Sequence, residues 1–267
     1  MKIISLNTFS GVVHAPLMAF VARTAPDTDV FCFQEVMSAE TLPKRGEHKK
    51  SQANLLQQLV AALPEFRAWY APVQDDIDKV PSDEGHWQYG LALFVRKSHD
   101  VVEQGDFFIH NGFNSFDGKN YGSVGSNAQF VRVRTADGMI TICNVHGTSE
   151  PGDKLDTPER LAQTRRLLEF LGHPERTVVV GDFNLLPDTQ SIRAFTEAGF
   201  RNLISDFRIT TTRGSLMKTL YPHYGTGPHG FQEFADYAFV SPDTEVRSFF
   251  VPDEPISDHL PLILEIA

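Results

Sequence analysis

Six apolar stretches of this chain end in, or open on, an acid, an amide or an imidazole. VVVGDFNLLPD (178–188) runs from three valines into Asp182 and Asn184, and SLN closes on Asn7. FCFQE delivers Gln34 and Glu35, and ITICNVH ends in Asn144 and His146. DYAFVS opens on Asp236, and SDHLPLILEI is led by Asp258 and His259. Taken singly, each has a structural use: Asn7 caps a turn, Glu35 is solvated, His146 is a satisfied core histidine, Asp182 makes an Asx-turn and Asp258 caps Leu260. Taken together they offer a consistent chemistry. Oxygens of Asn, Glu and Asp are what a hard cation such as Mg²⁺ takes, with waters completing its shell. Histidines beside carboxylates move protons and donate hydrogen bonds as charge develops. HxH and HExxH pairings are absent and cysteine takes no part, which argues against zinc chemistry.

These residues need strands to carry them. Strand-like runs fall at 2–7, 29–34, 89–95, 129–135, 140–145, 177–182, 236–241, 246–251 and 260–266. Some alternate and some are continuously apolar, so the sheets have one or both faces covered. TADGM (135–139) puts Asp-Gly between two of them and reads as a hairpin turn. Helices fit 51–63, 157–171 and 189–200; the second has Thr157 as N-cap and Pro158 at the first helical position. Arg160, Arg165 and Arg166 read as the outer face of that helix. Stretches 72–88, 105–127 and 205–235 read as long loops, the first acidic and solvated, the second a Gly/Asn/aromatic mixture suited to touching a substrate. No repeat or linker divides the chain, so one domain over 1–267 is expected: two packed sheets with helices outside.

The 267 residues are 41% hydrophobic and 22% charged, an ordinary globular balance. A net charge of −10 gives no broad basic face for gripping a duplex through many phosphates. Cys32 and Cys143 sit in apolar runs and read as buried thiols. No run reaches the roughly 20 apolar residues that span a bilayer. The N-terminal stretch reads as mature structure and the expected location is cytoplasmic.

In order along nearly the whole chain, SLNTF (5–9), FCFQEV (31–36), YGLALFV (89–95), NVHGT (144–148), VVVGDFNLLPD (178–188), FADYAFVS (234–241) and SDHLPL (257–262) resemble the endonuclease/exonuclease/phosphatase superfamily. The resemblance implies an α/β fold of DNase-I-like type: a four-layer α/β/β/α sandwich, two packed mixed sheets flanked by helices. It implies Asn7 and Glu35 as Mg²⁺ ligands (Mn²⁺ being an alternative), with Asp258 assisting directly or through water. Asp182 would orient or deprotonate the attacking water and Asn184 would hold it or a phosphate oxygen. His259, oriented by Asp236, would be the general base or a donor to the phosphate, and His146 would donate to a non-bridging oxygen. One departure is Gln88, standing where DNase-I-like nucleases carry the glutamate that pairs with the first histidine; this favours a neutral His146.

The substrate implied is a phosphate ester. The leading reading is a nuclease or nucleotide phosphodiesterase on short or single-stranded nucleic acid. The alternative is a phosphatase or phospholipase-type phosphodiesterase on an inositol or lipid head group, and the third is a non-catalytic binding member. Lys44 and Arg45 in KRGEHKK, together with Arg213, are the candidate substrate contacts, Lys218 being a further cation and Tyr221, Tyr224 and Phe231 candidate stacking rings. The oligomeric state is left open.

Overall fold

Two βαβ units, one in each of two sheets, form the centre of the molecule. The computed structural model describes residues 1–39, 51–75, 87–172, 176–216, 219 and 230–267. In the first unit β1 (Lys2–Asn7) and β2 (Val30–Ala39) run parallel, joined through α1 (His14–Thr24). In the second, β7 (Gly138–His146) and β8 (Thr177–Asp182) run parallel, joined through α3 (Pro158–Leu171). The other elements are α2 (Leu55–Ala62), β3 (Phe66–Asp75), β4 (Trp87–Arg96), β5 (Asp100–His110), β6 (Ser126–Thr135), α4 (Gln190–Glu197), β9 (Arg201–Asn202), α5 (Leu203–Asp206), β10 (Asp236–Val240), β11 (Val246–Phe250) and β12 (Leu262–Ile266). The two six-stranded sheets have the orders β11-β12-β1-β2-β4-β3 and β5-β6-β7-β8-β10-β9. Each has one parallel pair among antiparallel neighbours. This is the four-layer sandwich the motifs imply.

Strand alternation sorts the side chains into layers. In β1, Ile4 and Leu6 turn outward and pack with Phe31 and Phe33 of β2 and with Leu17, Phe20 and Val21 of α1. Ile3, Val30, Cys32, Leu93 and Val95 belong instead to the core between the sheets, with Ile140, Ile142 and Val178. Both cysteines are free, buried and without exposure, and burial pushes both thiols up, Cys143 to about 12. They are inert core residues.

The expected hairpin joins β6 and β7, and the expected caps hold α3: Thr157 Oγ1 accepts from Arg160 N–H at 3.2 Å behind Pro158. The sequence reading missed α1, β3 and β5. Residues 72–75 and 105–110, expected as loop, are the ends of strands, as are 126–127. The polar run DVVEQGD hides β5 because this edge strand fully buries only Ile109. Arg165 and Arg166 are exposed as expected, whereas Arg160 is 1% exposed. Its guanidinium donates to the carbonyls of Leu155 (2.7 Å), Pro151 (2.6 Å) and Ser149 (3.2 Å), clamping the loop after β7.

Candidate active site

The chemistry-bearing residues gather at the carboxyl ends of the two parallel strand pairs. His146, Asp182 and Asp236 form one row: His146 is in register with Asp182, and Asp182 with Asp236. Being level on adjacent strands, they share the face that looks toward the other sheet. Opposite them, Asn7 is in register with Gln34. Gly181 makes the row possible, since a Cβ there would lie 2.1 Å from the Val145 carbonyl oxygen and its φ is 143°.

Glu35 reaches the site through a break in β2. The register to β4 shifts between Phe33 and Val36, and Glu35 takes the left-handed conformation (φ 55°). A bulge of this kind re-aims a side chain, at a backbone cost of order 1–3 kcal/mol for a non-glycine residue. Thr8 supports it, its hydroxyl 3.0 Å from both the Gln34 and Glu35 carbonyl oxygens. Beneath the site a polar layer ties the sheets: Gln34 Nε2 donates to Asn144 Oδ1 (2.6 Å), and Asn144 Nδ2 to the Phe33 carbonyl (3.0 Å).

Asp182 is the centre. Its Oδ2 accepts from Asn7 Nδ2 at 2.9 Å and lies 3.8 Å from His146 Nε2 and 3.6 Å from His259 Nε2. Its Oδ1 accepts from Asn184 N–H at 2.9 Å, so the Asx-turn and the functional placement are one feature. Asn184 (φ 52°) donates its amide to the Gly147 carbonyl at 3.1 Å. Asn7 likewise does two jobs. Its Oδ1 accepts from Phe9 N–H at 3.0 Å, and its Nδ2 bridges Asp182 and Glu35 Oε1 (3.0 Å).

His259 Nδ1 faces Asp236 at 2.8 and 3.0 Å, while Arg213 Nη1 donates to Nε2. Those two contacts put the proton on Nδ1 and leave the Nε2 lone pair as acceptor. Arg213 Nη2 also pairs with Asp258 Oδ2 at 2.9 Å. Arg213 is thus buried within the site and bound to two of its members. Ser257 Oγ donates to the Asn7 carbonyl at 2.7 Å, fastening the 257–259 segment to β1.

Electrostatics separate the acids. Burial opposes charge on Asp182, but His259, His146, Lys154 and Arg213 together hold it below the usual carboxylate range. Burial, aided by Asp182, holds Asp236 above it despite His259. Glu35 is also raised, by burial and by the nearby Asp258 charge. Burial and Arg213 lower His259, yet Asp236, Asp258 and Asp182 together hold it above its ordinary value.

Two site residues escaped the sequence reading. Tyr89 bonds Glu35 through its hydroxyl and its ring lies 6.2 Å from that of His146; burial first, then Glu35 and Asp182, keep the phenol protonated. Its signal was the YGLALF block. Lys154, 4% exposed, reaches the Phe234 carbonyl at 3.4 Å, and burial pulls it down to about 8 among Arg213, Asp182, Asp236 and Asp258. Nothing in GDKLD announces that, since Arg160 decides where the loop lies. Gln88 donates to Asp75 Oδ1 at 3.0 Å; Tyr89, not Gln88, neighbours His146. Lys44, Arg45, Lys218, Tyr221 and Tyr224 lie outside the described residues, and Phe231 is partly buried.

The donor set fits a divalent cation. Glu35, Asp182, Asp236 and Asp258 bring four carboxylates together against the fixed cation Arg213 and Lys154, leaving negative charge for a cation or protons to balance. Asp182, Asp236 and His259 hold ligand atoms within 4.8 Å of one another. That closeness includes the Asp236–His259 hydrogen bond, which occupies Nδ1, so an open coordination position is better offered by Glu35.

Comparisons with known proteins bear on the family and the fold. The model of the endonuclease/exonuclease/phosphatase family matches residues 4–259. The chain belongs to that family, whose members are phosphoester hydrolases. A search of curated protein sequences returns no match. Among solved structures, an endonuclease/exonuclease/phosphatase family protein from Leptotrichia buccalis is similar at 14% identity and TM-score 0.71, over 100% of this chain and 99% of that one. A mannosyl-6-phosphatase from Bacteroides thetaiotaomicron aligns at 19% identity and TM-score 0.66, over 100% and 99%. The human Nocturnin catalytic domain with bound sulfate aligns at 14% and 0.64, over 100% and 93%. At these identities the likeness is one of fold. No helix among the described residues is long and apolar enough to cross a membrane.

Proposed function

We propose that the protein is a Mg²⁺-dependent phosphodiester hydrolase acting on short or single-stranded nucleic acid or on nucleotides. The observation that carries this is the convergence of His146 Nε2, His259 Nε2 and Asn7 Nδ2 on one oxygen of Asp182, with both imidazoles at non-bonded distance. The attacking water is taken to sit beside this carboxylate; Asp182, held ionised, accepts from the water and orients it. Once Arg213 Nη1 turns from His259 Nε2 to a phosphate oxygen, that nitrogen takes the water proton as the new oxygen–phosphorus bond forms and the ester oxygen–phosphorus bond breaks. The departing oxygen is protonated from solvent. Asp236 steadies the imidazolium that results, as an acid oriented against Nδ1 does in other hydrolases. His146 donates a hydrogen bond to a non-bridging oxygen, and Asn184 positions the Asp182 carboxylate through its backbone N–H. Glu35, with Asp258 through water, would hold Mg²⁺, which supplies Lewis-acid neutralisation of phosphate oxygens when bound.

A second reading, a phosphatase on a small phosphomonoester, is favoured by the buried cations Lys154 and Arg213 beside the acids, because a dianion asks for more positive charge. The similar fold of a mannosyl-6-phosphatase supports keeping it. The inositol or lipid head-group variant has no observation of its own.

The test is hydrolysis of a panel of single- and double-stranded oligonucleotides, mononucleotides, sugar phosphates, inositol phosphates and an aryl phosphodiester, with Mg²⁺ or with EDTA. Metal-dependent turnover abolished by His259→Ala and Asp182→Ala supports the reading. Turnover of monoesters alone transfers it to the phosphatase, and no turnover with no metal binding overturns both.

A further inference from the structure

Lys154 takes no part in the steps above, yet the loop after β7 is built around it. Its backbone holds the left-handed conformation (φ 57°), which a lysine rarely adopts. Its carbonyl accepts from Leu186 N–H at 2.9 Å, just past Asn184, and its N–H reaches the Pro151 carbonyl at 3.4 Å. On either side Arg160 holds the carbonyls of Pro151 and Leu155, and Asp156 ties the loop to α4. The side chain is aimed by this frame.

Where the ammonium ends, it is poorly served. Its one hydrogen bond among the described residues is the 3.4 Å contact to the Phe234 carbonyl, and it makes no direct ion pair there. An ammonium has three N–H donors, and burying one without acceptors is costly. Lys154 is 4% exposed against 1% for Asp182 and 3% for His259, so it is no more shielded than groups the reaction uses. Its charge also reaches the centre of the site: among the cations that hold Asp182 ionised it follows the two histidines and precedes Arg213. Burial first, then Arg213, lower the ammonium to about 8 against Asp182, Asp236 and Asp258, so it stays protonated at neutral pH. Like charges held near each other are relieved by an anion shared between them. The position fits such an anion. Asn7 links Asp182 to Glu35 on one flank, and Lys154 closes another, between Leu186 and Phe234.

We infer that Lys154 is a further catalytic residue, its ammonium donating to a non-bridging oxygen of the phosphate under attack and sharing that oxygen's charge with Arg213. A hydrogen bond from an ammonium to a charged oxygen is stronger than one to a carbonyl, and it strengthens as charge builds in the transition state. The amine keeps its proton throughout. This rests on the hydrolase reading and adds a residue to it.

The test compares wild type with Lys154→Met, which keeps the side-chain length without the charge, on the substrate the panel identifies, with inorganic phosphate as inhibitor. Lys154→Gln stands in if the methionine variant does not fold. The expected result is a loss of about 100-fold in kcat and a rise of about tenfold in the phosphate inhibition constant. Tm should hold or rise, because a buried charge is gone, and Mg²⁺ affinity by calorimetric titration should not weaken, because a cation beside the acids is gone. A kcat and an inhibition constant within about threefold of wild type overturn the assignment. So does a parallel loss of phosphate affinity, Mg²⁺ affinity and Tm, which marks a structural counter-charge. If wild type hydrolyses nothing in the panel, the hydrolase reading fails, and ³¹P NMR titration with inorganic phosphate decides Lys154. Binding by wild type that is lost in Lys154→Met supports the contact; equal binding, or none by wild type, overturns it.

Discussion

The two βαβ units bring different chemistry to one site from nearly the same scaffold. β1–α1–β2 delivers Asn7 and Glu35; β7–α3–β8 delivers His146 and Asp182. In the second unit the strand ends stay in register and the acid is stabilised in its charged form. In the first the strand breaks into a bulge, and Glu35 is disfavoured as a carboxylate until something neutralises it. On the proposed function, the difference separates a side that handles protons and water from a side that takes a cation.

Breaking the second side should have the largest effect. Asp182→Asn is expected to cut kcat by about 10³-fold or more, as loss of a central charged group commonly does. Divalent-cation affinity, measured by calorimetric titration, should change far less. An equal loss in both would erase the distinction between the units.

Glu35→Gln should do the reverse, weakening metal binding at least about tenfold, with activity partly restored by excess Mg²⁺. It should also raise Tm in metal-free buffer. The sign follows from the raised pKa: an acid that holds its proton more tightly when folded loses stability as pH rises through that range, and stays penalised at neutral pH. Glutamine removes the penalty. A lower Tm at pH 7 would show that the bulge needs the carboxylate.

Arg160→Ala tests the frame. In the second unit the guanidinium of Arg160, on α3 itself, satisfies the carbonyls of Leu155, Ser149 and Pro151, whereas in the first the turn after α1 is held from β4 by Arg96, which donates to the carbonyls of Ala25, Pro26 and Thr28. Removing the Arg160 guanidinium leaves its part-buried carbonyls unpaired and should cost about 1–3 kcal/mol in urea melts, with KM rising because the loop carries Lys154. Unchanged stability would make the clamp incidental.

The smallest effect belongs to Asp156, whose carboxylate receives the Gln190 and Ser191 N–H groups and the Ser191 hydroxyl, fastening this loop to α4. Its pKa is lowered by these hydrogen bonds against a burial penalty. The contribution is therefore present above the ordinary aspartate pKa and lost as pH falls through the lowered one. Asp156→Ala should cost about 1 kcal/mol at pH 7, and the gap between wild type and variant should close in acid. A constant gap across that range would exclude the carboxylate charge as its source.

The same contrast marks how far the chain could be read. Strand identity, the Asp-Gly hairpin and the Thr157-Pro158 start of α3 are local choices, written in alternation and capping residues that need no partner. Asn7, Glu35, His146, Asp182, Asp236 and His259 were legible because each stands next to a strong apolar run. α1 was not: HAPLMAFVART has no side-chain N-cap, and its apolar face has meaning only against Ile4, Leu6, Phe31 and Phe33. β5 was hidden by its polar edge position. Arg160 and Lys154 were decided by tertiary structure alone, as were the bond of Tyr89 to Glu35 and the attachment of Arg213 to Asp258 and His259. A buried cation or phenol takes its role from the charges and carbonyls that distant segments bring to it, and the spacing of residues along a loop carries no record of those neighbours.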